Sequence, residues 1–143
     1  SEIDAERYFT VWTACLADNA LEDYAPVVAI ARRLYEGQAD SNSGLVQTYL
    51  GQALYRAKSY EEAWEMLSAG IETLDEFGFS KAYSHYFRAM AAHRLGKMDE
   101  ADAQLKLANE LRQQDLNDGA AWNRQMTLDL LRKEAESLIQ PKE

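Results

Sequence analysis

The chain has 143 residues, 47% hydrophobic and 27% charged, which is the composition of an ordinary globular protein. Its net charge of −9 argues against attraction to nucleic acid or anionic lipid, so neither a nucleic acid nor a membrane is expected as a partner. Cys15 is the only cysteine, which excludes an intrachain disulfide and a cysteine-based metal site, and we expect a reducing, cytoplasmic location.

Apolar residues recur every three or four positions along the chain, without sustained alternation, which predicts an all-α fold of seven helices. In chain order these form hairpins at about residues 3–37, 44–77 and 80–113, followed by a capping helix at about 120–139. Short connections make consecutive helices antiparallel. Because no long linker interrupts the pattern, residues 1–143 are predicted to be a single domain.

Three residues mark the ends of predicted helices. Ser59 and Glu62 have the spacing of a capping box, which predicts that the fourth helix begins there. Ser80 is predicted to cap the fifth helix. Pro141 lies just beyond the predicted end of the last helix, where a residue that cannot continue a helix is expected.

A thirteen-residue segment occurs twice. Residues 51–63 align without a gap on residues 89–101, an offset of 38 residues, and the alignment pairs Arg56 with Arg94. Self-similarity at this period is typical of stacked helical hairpins. Such stacks build extended surfaces, so the duplication favours binding over catalysis.

The duplicated segment resembles the tetratricopeptide repeat, whose hairpin carries small residues twelve positions apart and a large apolar residue four positions later. Two sets of residues follow this pattern: Gly51, Ala63 and Leu67, then Ala89, Ala101 and Leu105. Cys15 and Val27 form a fainter third copy with the same spacing. The resemblance implies a right-handed α-solenoid of about three antiparallel hairpins, closed by a capping helix.

The order of these segments, continued through residues 122–138, is similar to the C-terminal repeat region of large bacterial multidomain proteins. Many of those proteins carry a serine/threonine kinase domain. The resemblance therefore implies a fragment of a larger signalling protein that acts as a non-catalytic interaction or scaffolding module. Its expected partner is a protein or peptide, bound in a concave groove.

In arrays of this kind the first helix of each hairpin lines the concave surface. Projecting the positions on those helices predicts a groove rich in aromatic residues and arginine, as binding patches are. The predicted groove residues are Phe9, Trp12, Gln52, Tyr55, Arg56, Tyr83, Tyr86, Met90, His93 and Arg94. The alternative is that the last helix covers this face and makes its aromatic residues part of the core.

No catalytic site, cofactor site or metal site is predicted. His85 and His93 are eight residues apart on one helix, so their directions differ by about 80° and they do not form a chelating pair. The acidic pair Glu61 and Glu62 lies in a first helical turn, where carboxylates favour the helix dipole. Phosphate-binding loops and nucleophile elbows are missing from the sequence, so the protein is not expected to be an enzyme.

Two other functions stay open at this point. The first is self-association, for example as a homodimer without a peptide ligand, through an array end near Phe9 and Trp12. The second is a small-ligand site around Tyr83 and His93.

Overall fold

The computed structural model describes residues 2–37, 43–74 and 80–141. Within these ranges the chain forms seven α-helices and no strand, which confirms the predicted all-α class. The helices are α1 (Glu2–Cys15), α2 (Ala25–Glu36), α3 (Ser43–Arg56), α4 (Tyr60–Thr73), α5 (Lys81–Arg94), α6 (Met98–Asn117) and α7 (Trp122–Ile139). Contacts divide the chain into two compact units, residues 1–75 and 76–143, and each is described by itself.

The helix ends differ from the predicted ones by a few residues. The third predicted hairpin ends near residue 113, whereas α6 continues for about one more turn to Asn117. The second predicted hairpin extends to about residue 77, and its last residues, 75–77, lie outside the described ranges.

In the first unit, α3 and α4 pack at positions where glycine leaves no side chain between them. A Cβ atom added at Gly51 would lie 2.6 Å from Leu67 Cγ and 3.1 Å from Leu67 N. One added at Gly70 would lie 2.8 Å from Thr48 Oγ1. The helices approach this closely because these two positions lack a Cβ.

Helices α1 and α2 complete the first unit and bury one apolar stripe each. The buried apolar residues of the unit's four helices include Val11, Cys15, Val27, Ala31, Leu34, Val46, Leu50, Ala53, Leu54, Ala63 and Leu67. Burying a side chain the size of Leu or Val contributes about 1.5–3 kcal/mol relative to leaving it in water.

In the second unit, α5 is the central helix, and both α6 and α7 pack against it. Ten of its fourteen residues are buried. Its buried polar groups therefore need partners on the neighbouring helices. Tyr86 OH donates a hydrogen bond to Asn109 Oδ1 at 2.7 Å, and His85 Nδ1 lies 2.7 Å from Gln104 Oε1.

The first copy of the duplicated segment forms a tight turn between α3 and α4. Ser59 N donates to Leu54 O at 2.9 Å, and Lys58 N donates to Tyr55 O at 3.0 Å. Lys58 has a φ of 68°, in the left-handed region. These two hydrogen bonds and the left-handed residue define a Schellman C-cap.

The second copy forms the same turn between α5 and α6. Lys97 N donates to Ala92 O at 2.9 Å, and Gly96 N donates to His93 O at 3.1 Å. Gly96, which aligns with Lys58, has a φ of 78°. The duplication in sequence is therefore a duplication of backbone structure.

The two predicted serine caps have different outcomes. The Ser80 side chain accepts a hydrogen bond from Ala82 N at 3.2 Å, which confirms the predicted cap of α5. Ser59 precedes the first residue of α4 as predicted, but its side chain makes no capping hydrogen bond, so the capping box is wrong. Its ψ of 68° is set by the Schellman turn and departs from the extended backbone that a capping serine adopts.

Candidate binding surfaces

The ten predicted groove residues differ in their exposure to solvent. Six are buried: Gln52, Tyr55, Arg56, Tyr83, Tyr86 and Met90. Trp12 and His93 are half-buried, and Phe9 and Arg94 are exposed. A shared groove for all ten stays a prediction, and the exposed and half-buried residues are those that a partner reaches without rearrangement of the fold.

Arg56 joins α3 to the end of α1. Its Nε donates a hydrogen bond to Cys15 O at 2.9 Å, and its side chain is only 1% exposed. Cys15 is the last residue of α1, so the guanidinium meets a carbonyl that has no partner within the helix, at the negative end of the helix dipole. Asp18 Oδ1 lies 3.8 Å from the same guanidinium. Arg56 therefore has a structural role in the first unit.

Cys15 is a buried thiol. Burial raises the pKa of Cys15 to about 12, although the positive charge of Arg56 opposes this shift. Because the thiolate is the nucleophilic form, Cys15 is unreactive at neutral pH.

The two predicted groove tyrosines of α5 are held by neighbouring helices. Tyr83 OH lies 2.6 Å from Thr127 Oγ1 on α7, while Tyr86 is bonded to α6 through Asn109. Burial raises the pKa of both tyrosines above the ordinary value, so both hydroxyls are neutral hydrogen-bonding groups. At Tyr83 the structure matches the alternative in which the last helix covers this face.

Gln52 is fully buried on α3, and within the described part of the chain neither its Oε1 nor its Nε2 has a hydrogen-bond partner. A buried amide in this state costs about 1–3 kcal/mol. Met90 occupies the equivalent position of the second copy and is also fully buried. At this position the two copies therefore differ in their contribution to stability, because the glutamine buries an amide without a hydrogen-bond partner in the described chain and the methionine does not.

A cluster of aromatic residues, which we call the α1 patch, lies where α1 packs on α3. It consists of Tyr8, Phe9, Trp12 and Tyr49. The ring centroids of Tyr8 and Tyr49 are 5.5 Å apart, and those of Trp12 and Tyr49 are 6.5 Å apart. Phe9, one turn before Trp12, is 69% exposed. The patch offers an aromatic surface of the kind that interfaces use.

The predicted groove contains two members of the α1 patch, Phe9 and Trp12, and omits the other two. Tyr8 has a signal in the sequence, because it lies four residues before Trp12 and therefore on the same face of α1. Tyr49 also has a signal, because it lies three residues before Gln52 and seven before Arg56, on the same side of α3 as these predicted groove residues.

A second exposed apolar surface, the α7 ridge, consists of Trp122, Met126 and Leu130. These residues are 73%, 46% and 48% exposed, respectively. The ridge is not among the predicted site residues, although its four-residue spacing is visible in the sequence. The sequence prediction treats this helix as a cap, and which of its faces is buried depends on α5 and α6.

The described residues show neither a metal site nor a membrane span. Among them, no group of three or more histidine, cysteine, aspartate or glutamate side chains is arranged to hold a metal ion. No helix in the described ranges combines the length and apolar character that crossing a bilayer requires.

Comparison with known proteins gives no assignment. No protein-family model, no curated protein and no solved structure matches this chain. Evidence on function therefore comes from the residues and geometry of the chain itself.

Proposed function

We propose that this chain is a tetratricopeptide-like α-solenoid that serves as a non-catalytic protein-interaction or scaffolding module. In this proposal it belongs to a larger bacterial signalling protein, lies in the cytoplasm and binds a protein or peptide. It has no cofactor and carries out no reaction.

Equivalent burial of the repeat residues supports the repeat part of the proposal. Both copies also share the Schellman turn, which recurs at the end of α6, where Ala120 N donates to Asp115 O at 3.0 Å. The small and large residues of the repeat pattern are buried at equivalent positions: Ala63, Leu67, Ala89, Ala101 and Leu105. This pattern of burial fits hairpins whose helices pack through small side chains.

The observation that carries the interaction part is the α1 patch. Phe9 is largely exposed and lies next to the half-buried Trp12, so its burial by a partner is favourable. Ordering an aromatic side chain also costs little side-chain entropy. Tyr and Trp are also enriched among the residues that dominate binding energy. The net charge of −9 favours a partner that is neutral or basic near this surface.

The test is a comparison of proteins retained from an extract of the source cells by the immobilised wild type, Phe9→Ser and Leu21→Ser. Leu21 is a matched control because it is also an exposed apolar residue of the first unit. We expect a partner that wild type and Leu21→Ser retain equally and Phe9→Ser retains at least tenfold less, confirmed by titration with that purified partner. Equal retention by all three proteins would remove the α1 patch as the binding surface.

The alternative function is self-association through the α1 patch, without a peptide ligand. The exposure of Phe9 favours it for the same physical reason. Light scattering distinguishes the two, since self-association through this patch predicts a molecular mass that rises with concentration and that Phe9→Ser returns to the monomer value.

A further inference from the structure

A recess of about 280 Å³ lies between the end of α6 and the first half of α7, and we call it the α6–α7 recess. It is lined by Arg112, Leu116, Trp122, Gln125, Met126 and Asp129. Two members of the α7 ridge, Trp122 and Met126, therefore form part of its wall. Pockets that enclose a whole small molecule measure about 300–1,000 Å³, so a recess of this size suits one or two side chains of a protein partner.

Three cations share the carboxylate of Asp129 at the edge of the recess. Arg112 Nη2 donates a hydrogen bond to Asp129 Oδ1 at 3.1 Å, and Arg132 Nε lies 3.6 Å from the same oxygen. Lys133 Nζ lies 3.4 Å from Asp129 Oδ2. Arg132 Nε also lies 3.9 Å from Glu136 Oε1. Among the described residues, these ion pairs set three positive charges against two negative ones, so the cluster is locally positive in a chain whose net charge is −9.

The cations of this cluster have hydrogen-bond donors left for a further acceptor. A guanidinium carries five N–H groups, and Arg112 Nε has no partner within the described part of the chain. The side chain of Lys133 is 70% exposed, so two of its three ammonium protons can turn toward a ligand. Arg112 and Lys133 can therefore each bind a second acceptor without giving up Asp129.

The same ion pairs decide which charge an occupant carries. Both oxygens of Asp129 already face a cation, so a cationic group of a partner would compete with three side chains for one carboxylate. An anionic group would instead neutralise the excess positive charge. Complementary charges of this kind select one class of partner and reject the other.

We propose that the α6–α7 recess binds an acidic segment of a protein partner, in which a glutamate or aspartate lies next to an apolar residue. The carboxylate meets Arg112 and Lys133, and the apolar side chain packs against Trp122 and Met126. Arginine and tryptophan are among the residues that most often dominate binding energy at interfaces. The site lies in the second unit and does not depend on the proposed function of the α1 patch, whose partner has the opposite charge preference.

The test is a titration of the isotope-labelled whole chain with two synthetic peptides that differ only in charge, acetyl-Leu-Glu-Phe-Glu-Leu-amide and acetyl-Leu-Lys-Phe-Lys-Leu-amide. Nuclear magnetic resonance follows the indole N–H of Trp122 and the Nε–H of Arg112. We expect the glutamate peptide to shift both signals with a Kd of about 0.1–1 mM, the weak range of a ligand with few contacting atoms. The lysine peptide should leave both signals in place.

Three substitutions distinguish a binding site from a network of purely structural ion pairs. Arg112→Gln and Lys133→Gln each remove one cation, so each should weaken binding of the glutamate peptide about two- to fivefold. Asp129→Asn removes the competing carboxylate and should strengthen binding about twofold, a gain that a structural role would not produce. Circular dichroism shows that the variants are folded, and Lys133→Gln carries the test if Arg112→Gln is not.

The matched control is Lys106→Gln. Lys106 is an exposed cation of α6 that lies outside the recess, so its loss changes the net charge equally and should leave the affinity of the glutamate peptide the same.

Four outcomes overturn the inference. The first is that the glutamate peptide shifts neither signal at about 5 mM, well above the expected Kd. The second is equal binding of the lysine peptide, which means that the recess does not select an acidic partner. The third is an unchanged affinity in all three cluster variants. The fourth is a Trp122 signal that shifts with protein concentration before peptide is added, which assigns the surface to a second copy. Loss of partner capture by Phe9→Ser bears only on the proposed function.

Discussion

The two copies of the duplicated segment have the same backbone but different side-chain surroundings. Both turns have the Schellman hydrogen bonds, with Lys58 and Gly96 in the left-handed region. Yet Arg56 is buried against the end of α1, whereas its counterpart Arg94 is exposed. Local hydrogen bonding thus determines the hairpin turn, while the helices that pack on each copy determine what its side chains do.

The largest expected effect comes from the arginine pair. Arg56→Ala should lower the free energy of unfolding by about 2–3 kcal/mol, because it leaves the buried carbonyl of Cys15 without its charged donor. Arg94→Ala should cost less than about 1 kcal/mol, since its side chain is exposed. Urea unfolding measures both, and equal losses would contradict the structural difference between the copies.

The next largest effect is expected at Gln52 and Met90, which occupy equivalent positions in the two copies, when each is replaced by the residue of the other copy. Gln52→Met should raise the free energy of unfolding by about 1–2 kcal/mol, because it removes a buried amide without a partner in the described chain. Met90→Gln should lower it by about 2 kcal/mol for the converse reason. Denaturant midpoints report both variants. A destabilised Gln52→Met would show that the amide has a partner, such as a buried water.

A smaller effect comes from the left-handed position of each turn. Gly96→Ala should cost about 1 kcal/mol through backbone strain alone, since an added Cβ would meet no atom within 4 Å. Lys58→Gly should stabilise by about 0.5–1 kcal/mol because it relieves the same strain in the first copy. Thermal melting compares the two, and changes of the same sign would contradict the equivalence of the turns.

The smallest expected difference between the copies lies in how the free energy of unfolding depends on pH. Burial lowers the pKa of His85 below its ordinary value of 6.5, as do the charges of Arg88 and Lys81, while the Gln104 hydrogen bond opposes the shift. The unfolded chain therefore takes up this proton first, and stability falls as the pH drops from about 6.5 through the lowered pKa.

The control for this dependence is His85→Gln, which copies the residue at the equivalent position, Gln47. Melting temperatures between pH 7.5 and pH 5, a range of about 1 to 1.5 units on either side of the ordinary histidine pKa, show the loss. We expect the variant to lose less stability than the wild type over this range. An unchanged dependence would mean that other groups cause it.

The sequence predicted the helices well and their contacts poorly. Periodic apolar spacing and the Ser80 cap are local signals, so the order of the helices followed from them. The groove could not be predicted from such local signals. Projecting a helix shows which residues share a face, but it does not show which helix covers that face. Tyr83 meets α7 and Arg56 meets the end of α1, and both contacts join residues far apart in sequence.

By itself, the sequence determined the all-α class and the order of the helices, because these depend on hydrogen bonds and side-chain spacing within a few residues. Only the tertiary structure decided which face of each helix is buried. It placed Tyr86 and Met90 in the core and left Phe9 and the α7 ridge in solvent. The physical reason is that a side chain is buried only where a neighbouring helix covers it. An amphipathic pattern shows which residues share a face of a helix, but it does not show which helix packs against that face.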